Sequence, residues 1–244
     1  MDASPLCATE VAENGRVLVM ALHNPPDNAV TPAMLEGVAA ALSMAEGRPD
    51  LVILTGRGRV FSKGFDVGVV QSHRDGVAHR LSLARCNDVV NRLEACPKLV
   101  IAAINGHCLG AGLELAMACH IRVSTEKARL GLPELTRGLM PGLGGVSRLT
   151  RLVGRAKALE LIAVGDLITA EEARRVGLVN RVLGPSEFME GVLALARAIL
   201  TIDQTLIREV IRLSAASLAG DCESVMDAVE SAVRLAPPRV ARTP

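Results

Sequence analysis

The 244-residue chain has no tryptophan, no tyrosine and only three phenylalanines. It therefore lacks the aromatic platforms on which nucleic-acid bases usually stack, and its core has to be assembled from Ala, Val, Leu, Ile and Met. Charge imbalance is missing too. Lys plus Arg number 27 against 26 Asp plus Glu, a net +1 that draws the protein neither to nucleic acid nor to an anionic membrane, although a local basic cluster can still hold a phosphorylated ligand. Cys7, Cys86, Cys96, Cys108, Cys119 and Cys222 include no CxxC pair, so neither a zinc site nor a redox pair is expected. Thiols scattered through apolar segments fit small core residues of a reducing compartment. No apolar run approaches 18 residues, and MDASPLCATE lacks the charged and apolar regions of a leader. Cytoplasm is the expected location, with no membrane partner.

What is present is an ordinary globular composition, 50% hydrophobic and 22% charged. A chain of this length buries roughly 70–75% of its unfolded surface, as one large domain or two small ones. RVLVMAL (16–22), DLVILTG (50–56) and LVIAAING (99–106) read as strands, the last two buried on both faces. Residues 32–46 read as a helix capped by Thr31 with Pro32 in its first turn, and 76–94 as a second, longer one. Residues 120–131 read as one or two short strands. RLTRLVGRAKALELIAVG (148–165) and ITAEEARRVGLVN (168–180) read as helices, the latter with Thr169 as N-cap and Glu172 in a capping box. Strands alternating with helices give an α/β class. From about Gly184 everything reads as helical to about Leu235, which sets a soft boundary: a core over 1–184 and a helical region over 185–244, ending in a tail expected to fray.

Three stretches can carry chemistry. GHCLGAGLELAMAC (106–119) sets a lone glutamate, Glu114, in an otherwise apolar helix, behind a cluster of glycines. A buried carboxylate is costly unless something pairs or uses it. The glycines permit close backbone approach, and the unpaired N–H groups of a helix start favour negative charge. That is compatible with a phosphate cradle, with an oxyanion hole, or with a tight packing turn. The dinucleotide version is disfavoured because GAGLEL lacks the third glycine of GxGxxG. LGLPELTRGLMPGLGGVSRL (130–149) puts Glu134 at a constrained turn after Pro133, ahead of a glycine-rich loop, and RVFSKGFD (59–66) holds two of the three phenylalanines. Two glutamates and two glycine-containing turns in an apolar surround form a constellation able to polarise a carbonyl and move protons at a neighbouring carbon.

The same stretches carry a resemblance. FSKGFD (61–66), INGHCLGAGLE (104–114), PELTRGLMPGLGGVSRL (133–149) and GDLITAEEARRVGLVNRV (165–182) match, in order and spacing, four motif blocks of the crotonase (enoyl-CoA hydratase/isomerase) superfamily, which the chain resembles over nearly its full length. The resemblance implies a spiral of ββα units followed by a C-terminal helical region that mediates trimerisation, often as a dimer of trimers. It implies an acyl-CoA thioester whose carbonyl oxygen sits between the backbone N–H groups of Phe65 and Ala111. It makes Glu114 the residue that holds and deprotonates water for C3, and Glu134 the one that exchanges the C2 proton. Gly64, Asp66, Gly110, Pro133 and Gly142 fall at binding positions of the motifs, with Arg59 and Lys63 as candidate phosphate contacts. No metal and no separate cofactor is implied, since coenzyme A belongs to the substrate.

Keeping both glutamates favours a hydratase. An isomerase, a decarboxylase or dehydratase acting on a carrier-bound acyl group, and a non-catalytic acyl-CoA-binding protein are the alternatives. Phe65 stands where hydratases commonly have Ala, Gly68 where a Lys is frequent, and SAVRLAPPRVARTP lacks the family's usual C-terminal segment. These departures bear on the acyl pocket and on the choice between CoA and an acyl carrier protein.

Overall fold

A computed structural model of the chain describes residues 6–66 and 77–218, with the backbone alone for 77–81. The expectations for helices beyond Leu218, for the tail, and for Gly68 and Cys222 lie outside the described residues.

The strands are β1 (Cys7–Ala12), β2 (Val17–Leu22), β3 (Leu51–Gly56), β4 (Leu99–Ile104), β5 (Cys108–Leu109), β6 (Ile121–Thr125), β7 (Arg129–Gly131), β8 (Ile168–Thr169) and β9 (Arg181–Leu183). The helices are α1 (Pro32–Met44), α2 (Val77–Glu94), α3 (Ala111–Ala118), α4 (Gly145–Val153), α5 (Arg155–Val164), α6 (Ala170–Arg175), α7 (Phe188–Leu200) and α8 (Gln204–Leu218), with a 3-10 turn over Pro133–Arg137. Six strands form one sheet in the order β1-β2-β3-β4-β6-β9, parallel throughout except for β1 against β2; β5, β7 and β8 form a second, small sheet.

The continuous apolar strands follow from burial on both faces. Along β3, Val52 and Leu54 join the large core beneath α1, α2 and α3, while Leu51 and Ile53 point the other way. β4 repeats the alternation, with Val100, Ala102 and Ile104 on one side and Ile101 and Ala103 on the other. The second face is covered by α7 through Phe188, Val192, Ala196 and Leu200. The helical region after Gly184 thus begins with a helix packed on the sheet, whereas α8 buries no residue.

Local chemistry sets the boundaries. The Thr31 hydroxyl accepts from Met34 N at 3.1 Å and Pro32 fills the first turn of α1. Thr169 caps α6 by accepting from Glu172 N at 3.0 Å, while the Glu172 carboxylate is taken up by Lys157 instead of reaching back to the cap. The segment 148–165 is interrupted at Gly154, with a φ of 79°, and so splits between α4 and α5. The segment 168–180 is helical only over α6. β1, β5, β8 and β9 have no counterpart in the sequence reading.

Candidate active site

The site begins with two loops pinned by asparagine. Asn28 is buried at the end of the Pro-rich loop, and its Nδ2 donates to the carbonyls of Arg57 and Val60, each at 2.9 Å. Asn105 accepts from Gly56 N at 3.1 Å and donates to the Gly58 carbonyl at 2.9 Å. The loop after β3 is thereby fixed from both sides, and Phe61 is fully buried beneath it. It then forms a bridge with Val30: Val30 N donates to Gly64 O at 2.8 Å, and Asp66 N to Val30 O at 3.0 Å. This pattern uses the groups flanking Phe65 and turns the N–H of Phe65 away from Val30.

Opposite this bridge, α3 starts at Ala111, whose N–H as the first of the helix has no intrahelical acceptor. The two backbones nearly touch. A Cβ on Gly64 would lie 2.9 Å from the Leu109 carbonyl oxygen and 3.4 Å from the Ala111 nitrogen. Among the described residues neither the Phe65 nor the Ala111 N–H has a backbone acceptor. Gly110 turns the chain into α3 with φ 52° and ψ −129°, a conformation closed to residues with a side chain.

Glu114 lies in the first turn of α3 and is 1% exposed. Its Oε1 accepts from Leu143 N at 2.8 Å and Gly145 N at 2.7 Å. Burial and the nearby Glu134 carboxylate outweigh these two donors and the charge of Arg148, and push the Glu114 carboxyl up to about 7. Glu134 stands on the 3-10 turn after Pro133. Burial raises its carboxyl above the ordinary value, against its own backbone N–H and Arg137. Its Oε2 is buried and meets no hydrogen-bond donor among the described residues. A proton thus rests on either carboxyl at less cost than in water, the condition for acid and base work near neutrality.

Arg122 and Arg148, the buried arginines, do not pair with Glu114. Arg122 donates to the carbonyls of Cys119 and Leu178, and Arg148 is salt-bridged to Glu94 at 2.7 Å. Arg59 is exposed on the pinned loop. Lys63 is exposed and lies 3.4 Å from Asp27. Asp66 follows the Phe65 bridge. Gly142 belongs to the loop that faces Glu114, and its carbonyl accepts from Asn87 Nδ2 at 2.7 Å. Sequence reasoning missed Leu143 and Gly145, which act through backbone N–H groups, and Asn28 and Asn87, which act by holding carbonyls. The glycine-rich block 141–145 was the available signal for the first pair.

Among the described residues there is no cluster of three or more His, Cys, Asp or Glu able to hold a metal ion, and no helix long and apolar enough to cross a membrane.

Comparison with known proteins places these features. The profile of the family described as enoyl-CoA hydratase/isomerase matches residues 12–228. A "probable enoyl-CoA hydratase" of Bacillus subtilis (strain 168) is 45% identical over 175 residues, covering 71% of this chain and 68% of that protein. The chain spans about a quarter of a rice peroxisomal fatty acid beta-oxidation multifunctional protein, at 42% identity over 184 residues and 74% of this chain. Among solved structures, an enoyl-CoA hydratase from Bacillus anthracis superposes with a TM-score of 0.87 at 30% identity, covering 94% of this chain and 90% of that one. One from Thermobifida fusca YX, described as a putative enoyl-CoA hydratase in complex with acetoacetyl-CoA, gives 0.85 at 27% identity, covering 95% and 96%. The fold is the crotonase fold that these structures share.

Proposed function

The chain belongs to the enoyl-CoA hydratase/isomerase family, and from that membership we propose that it adds water reversibly across the double bond of a 2-enoyl-CoA thioester. The observation that carries the reading is the pair of glutamates, both raised by burial, beside two backbone N–H groups that have no backbone acceptor among the described residues.

The thioester carbonyl oxygen accepts from the N–H groups of Phe65 and Ala111. As the enolate develops, each donor contributes about 2.7–4 kcal/mol, and the start of α3 adds its dipole. Glu114 holds and deprotonates the water that attacks C3; a base ionising at about 7 is matched to neutral pH. Glu134 delivers the proton to C2 and removes it in the reverse reaction. Gly64 and Gly110 let the thioester approach the backbone, Asp66, Pro133 and Gly142 shape the walls, and Arg59 and Lys63 serve the phosphates of CoA. The acetoacetyl-CoA complex of the Thermobifida fusca protein supports an acyl-CoA ligand. The proton transfers require no metal and no redox group.

The protein works as a homotrimer or a dimer of trimers. Support comes from α8, which buries no residue and exposes Val210 and Leu218; light scattering on a sizing column reads the state directly. Cytoplasmic location is supported by five buried free thiols among the described residues.

The deciding experiment follows the conjugated enoyl-thioester absorbance with crotonyl-CoA and with an eight-carbon 2-enoyl-CoA. Rapid loss, abolished in Glu134→Gln, is expected. No loss in a protein that still binds acyl-CoA would overturn the hydratase reading and direct the assay to double-bond isomerisation, then to carrier-bound acyl groups. Turnover that is absent in wild type, with binding untouched by Glu114→Gln and Glu134→Gln, would mark a non-catalytic binder.

A further inference from the structure

Glu114 is held by a loop that is itself held from α2. Asn87, Asn91 and Glu94 lie at positions i, i+4 and i+7, on one face of that helix. Asn87 Nδ2 donates to the Gly142 carbonyl at 2.7 Å and is oriented by a second bond to the Leu83 carbonyl at 3.1 Å. The Gly142 carbonyl and the Leu143 N–H belong to one peptide unit and point in opposite directions across it. One peptide plane therefore runs from Asn87 to Glu114 Oε1, which accepts that N–H at 2.8 Å. The next carbonyl, that of Leu143, accepts from Arg148 Nη1 at 2.6 Å. Arg148 is 4% exposed and is fixed by Asn91 Oδ1 at 2.8 Å and Glu94 Oε2 at 2.7 Å.

We propose that Asn87 and the Arg148–Glu94 pair are positioning residues for Glu114: they hold the Gly142–Leu143 and Leu143–Gly144 peptide planes and so aim the Leu143 N–H, and the turn that leads on to the Gly145 N–H, at Oε1. None of the three hydrogen-bonds to Glu114 itself. They act through backbone, and on the opposite side Asn91, Glu94, Arg148 and Arg151 border a cleft of about 960 Å³ that is lined by neither glutamate of the site. The inference rests on Glu114 being the base of the proposed reaction, while the bracing itself can be read without turnover.

Two substitutions separate positioning from mere support because they act with opposite sign. The charged groups that bear on Glu114 are Glu134 from the 3-10 turn and Arg148 from α4, with Glu94 of α2 behind Arg148; Cys108 of β5, also packed on α3, is a thiol that burial keeps neutral. Asn87→Ala removes the bond that orients the Leu143 N–H, so the carboxylate loses stabilisation and Glu114 ionises about half a pH unit higher. Glu94→Gln keeps an amide oxygen that accepts from Arg148, so the brace stays while the negative charge that offsets Arg148 is lost, and Glu114 ionises lower.

The experiment titrates the Glu114 carboxyl by isotope-edited infrared or carbon NMR in wild type, Glu94→Gln and Asn87→Ala, with Glu114→Gln to assign the signal. Thermal melts establish that each variant is folded. The pH profile of kcat/KM is recorded alongside. The expected result is a rise in Asn87→Ala, a fall in Glu94→Gln, the same displacements in the acid limb of the profile, and a kcat loss of about tenfold in Asn87→Ala with KM within about twofold. Shifts of one sign in both variants, or none, would overturn the proposal. Opposite shifts in a protein without hydratase turnover would retain the bracing and reject the hydratase reading.

Discussion

Gly110 and Glu134 are in register across the site: a Cβ placed on Gly110 would lie 2.9 Å from Glu134 Oε1. The turn into α3 and the carboxylate on the 3-10 turn therefore occupy adjoining space, and a hydrogen in place of a methyl group is what admits both. The positive φ of Gly110 serves the same end by directing the Ala111 N–H into the site.

Gly110→Ala is expected to displace the Glu134 carboxylate and strain the entry to α3. A shift of about 1 Å in a reacting group costs on the order of 100-fold. Steady-state kinetics should show that loss in kcat, with a folded protein by circular dichroism.

Glu114 makes the fold weaker as pH rises. Its carboxyl ionises at about 7 in the folded protein against an ordinary value of 4.5. Between those values the native state binds the extra proton, so stability falls from pH 4.5 to 7 and stays reduced above it. The difference is on the order of 3 kcal/mol. Glu114→Gln, which cannot ionise, should melt close to wild type near pH 4.5 and several degrees higher at pH 8. Equal melting temperatures at both would contradict the burial of an ionisable carboxyl.

Phe65→Ala should keep the proposed oxyanion donor, because the backbone supplies it. Turnover of crotonyl-CoA is expected to stay within about tenfold of wild type, whereas loss of a donor costs roughly 100–1,000-fold. The side chain packs against the core at the edge of the site. Its removal should therefore widen the range of acyl chains accepted, measured as relative kcat/KM across chain lengths.

The thiols should be silent in the native protein. Burial pushes Cys7 up to about 11 and Cys119 to about 12, and raises Cys86, Cys96 and Cys108 as well. Alkylation at pH 7.5 followed by peptide mass spectrometry should leave these five unmodified until denaturant is added. Prompt labelling of Cys108 or Cys119 would contradict their complete burial.

What the sequence made legible was whatever is encoded by spacing or by a local cap. Thr31 and Thr169 announce helices because one hydroxyl satisfies one N–H a few residues on. The motif blocks bring Phe65, Ala111, Glu114 and Glu134 into a single reading because each block is a turn with its own glycine requirement. Edge strands were not legible. β1 alternates only weakly, and β8 and β9 are two and three residues long, so pairing with β7 and β6 creates them rather than local preference. Asn87, Asn91 and Glu94 were not singled out, since nothing in their spacing reveals the carbonyl and the arginine that they meet more than 50 residues away. Arg148 was visible as a charge, but its partner depends on which face of α2 turns toward α4.

Because both N–H donors converge on one oxygen of Glu114, that carboxyl is restrained from turning about its own axis, and Oε2 is the oxygen left for the water of the proposed reaction. A flat alkene carbon has two sides, and a base tethered in this manner reaches only one of them. In the proposed hydration, the handedness of the alcohol is therefore set in part by two amides that never touch it.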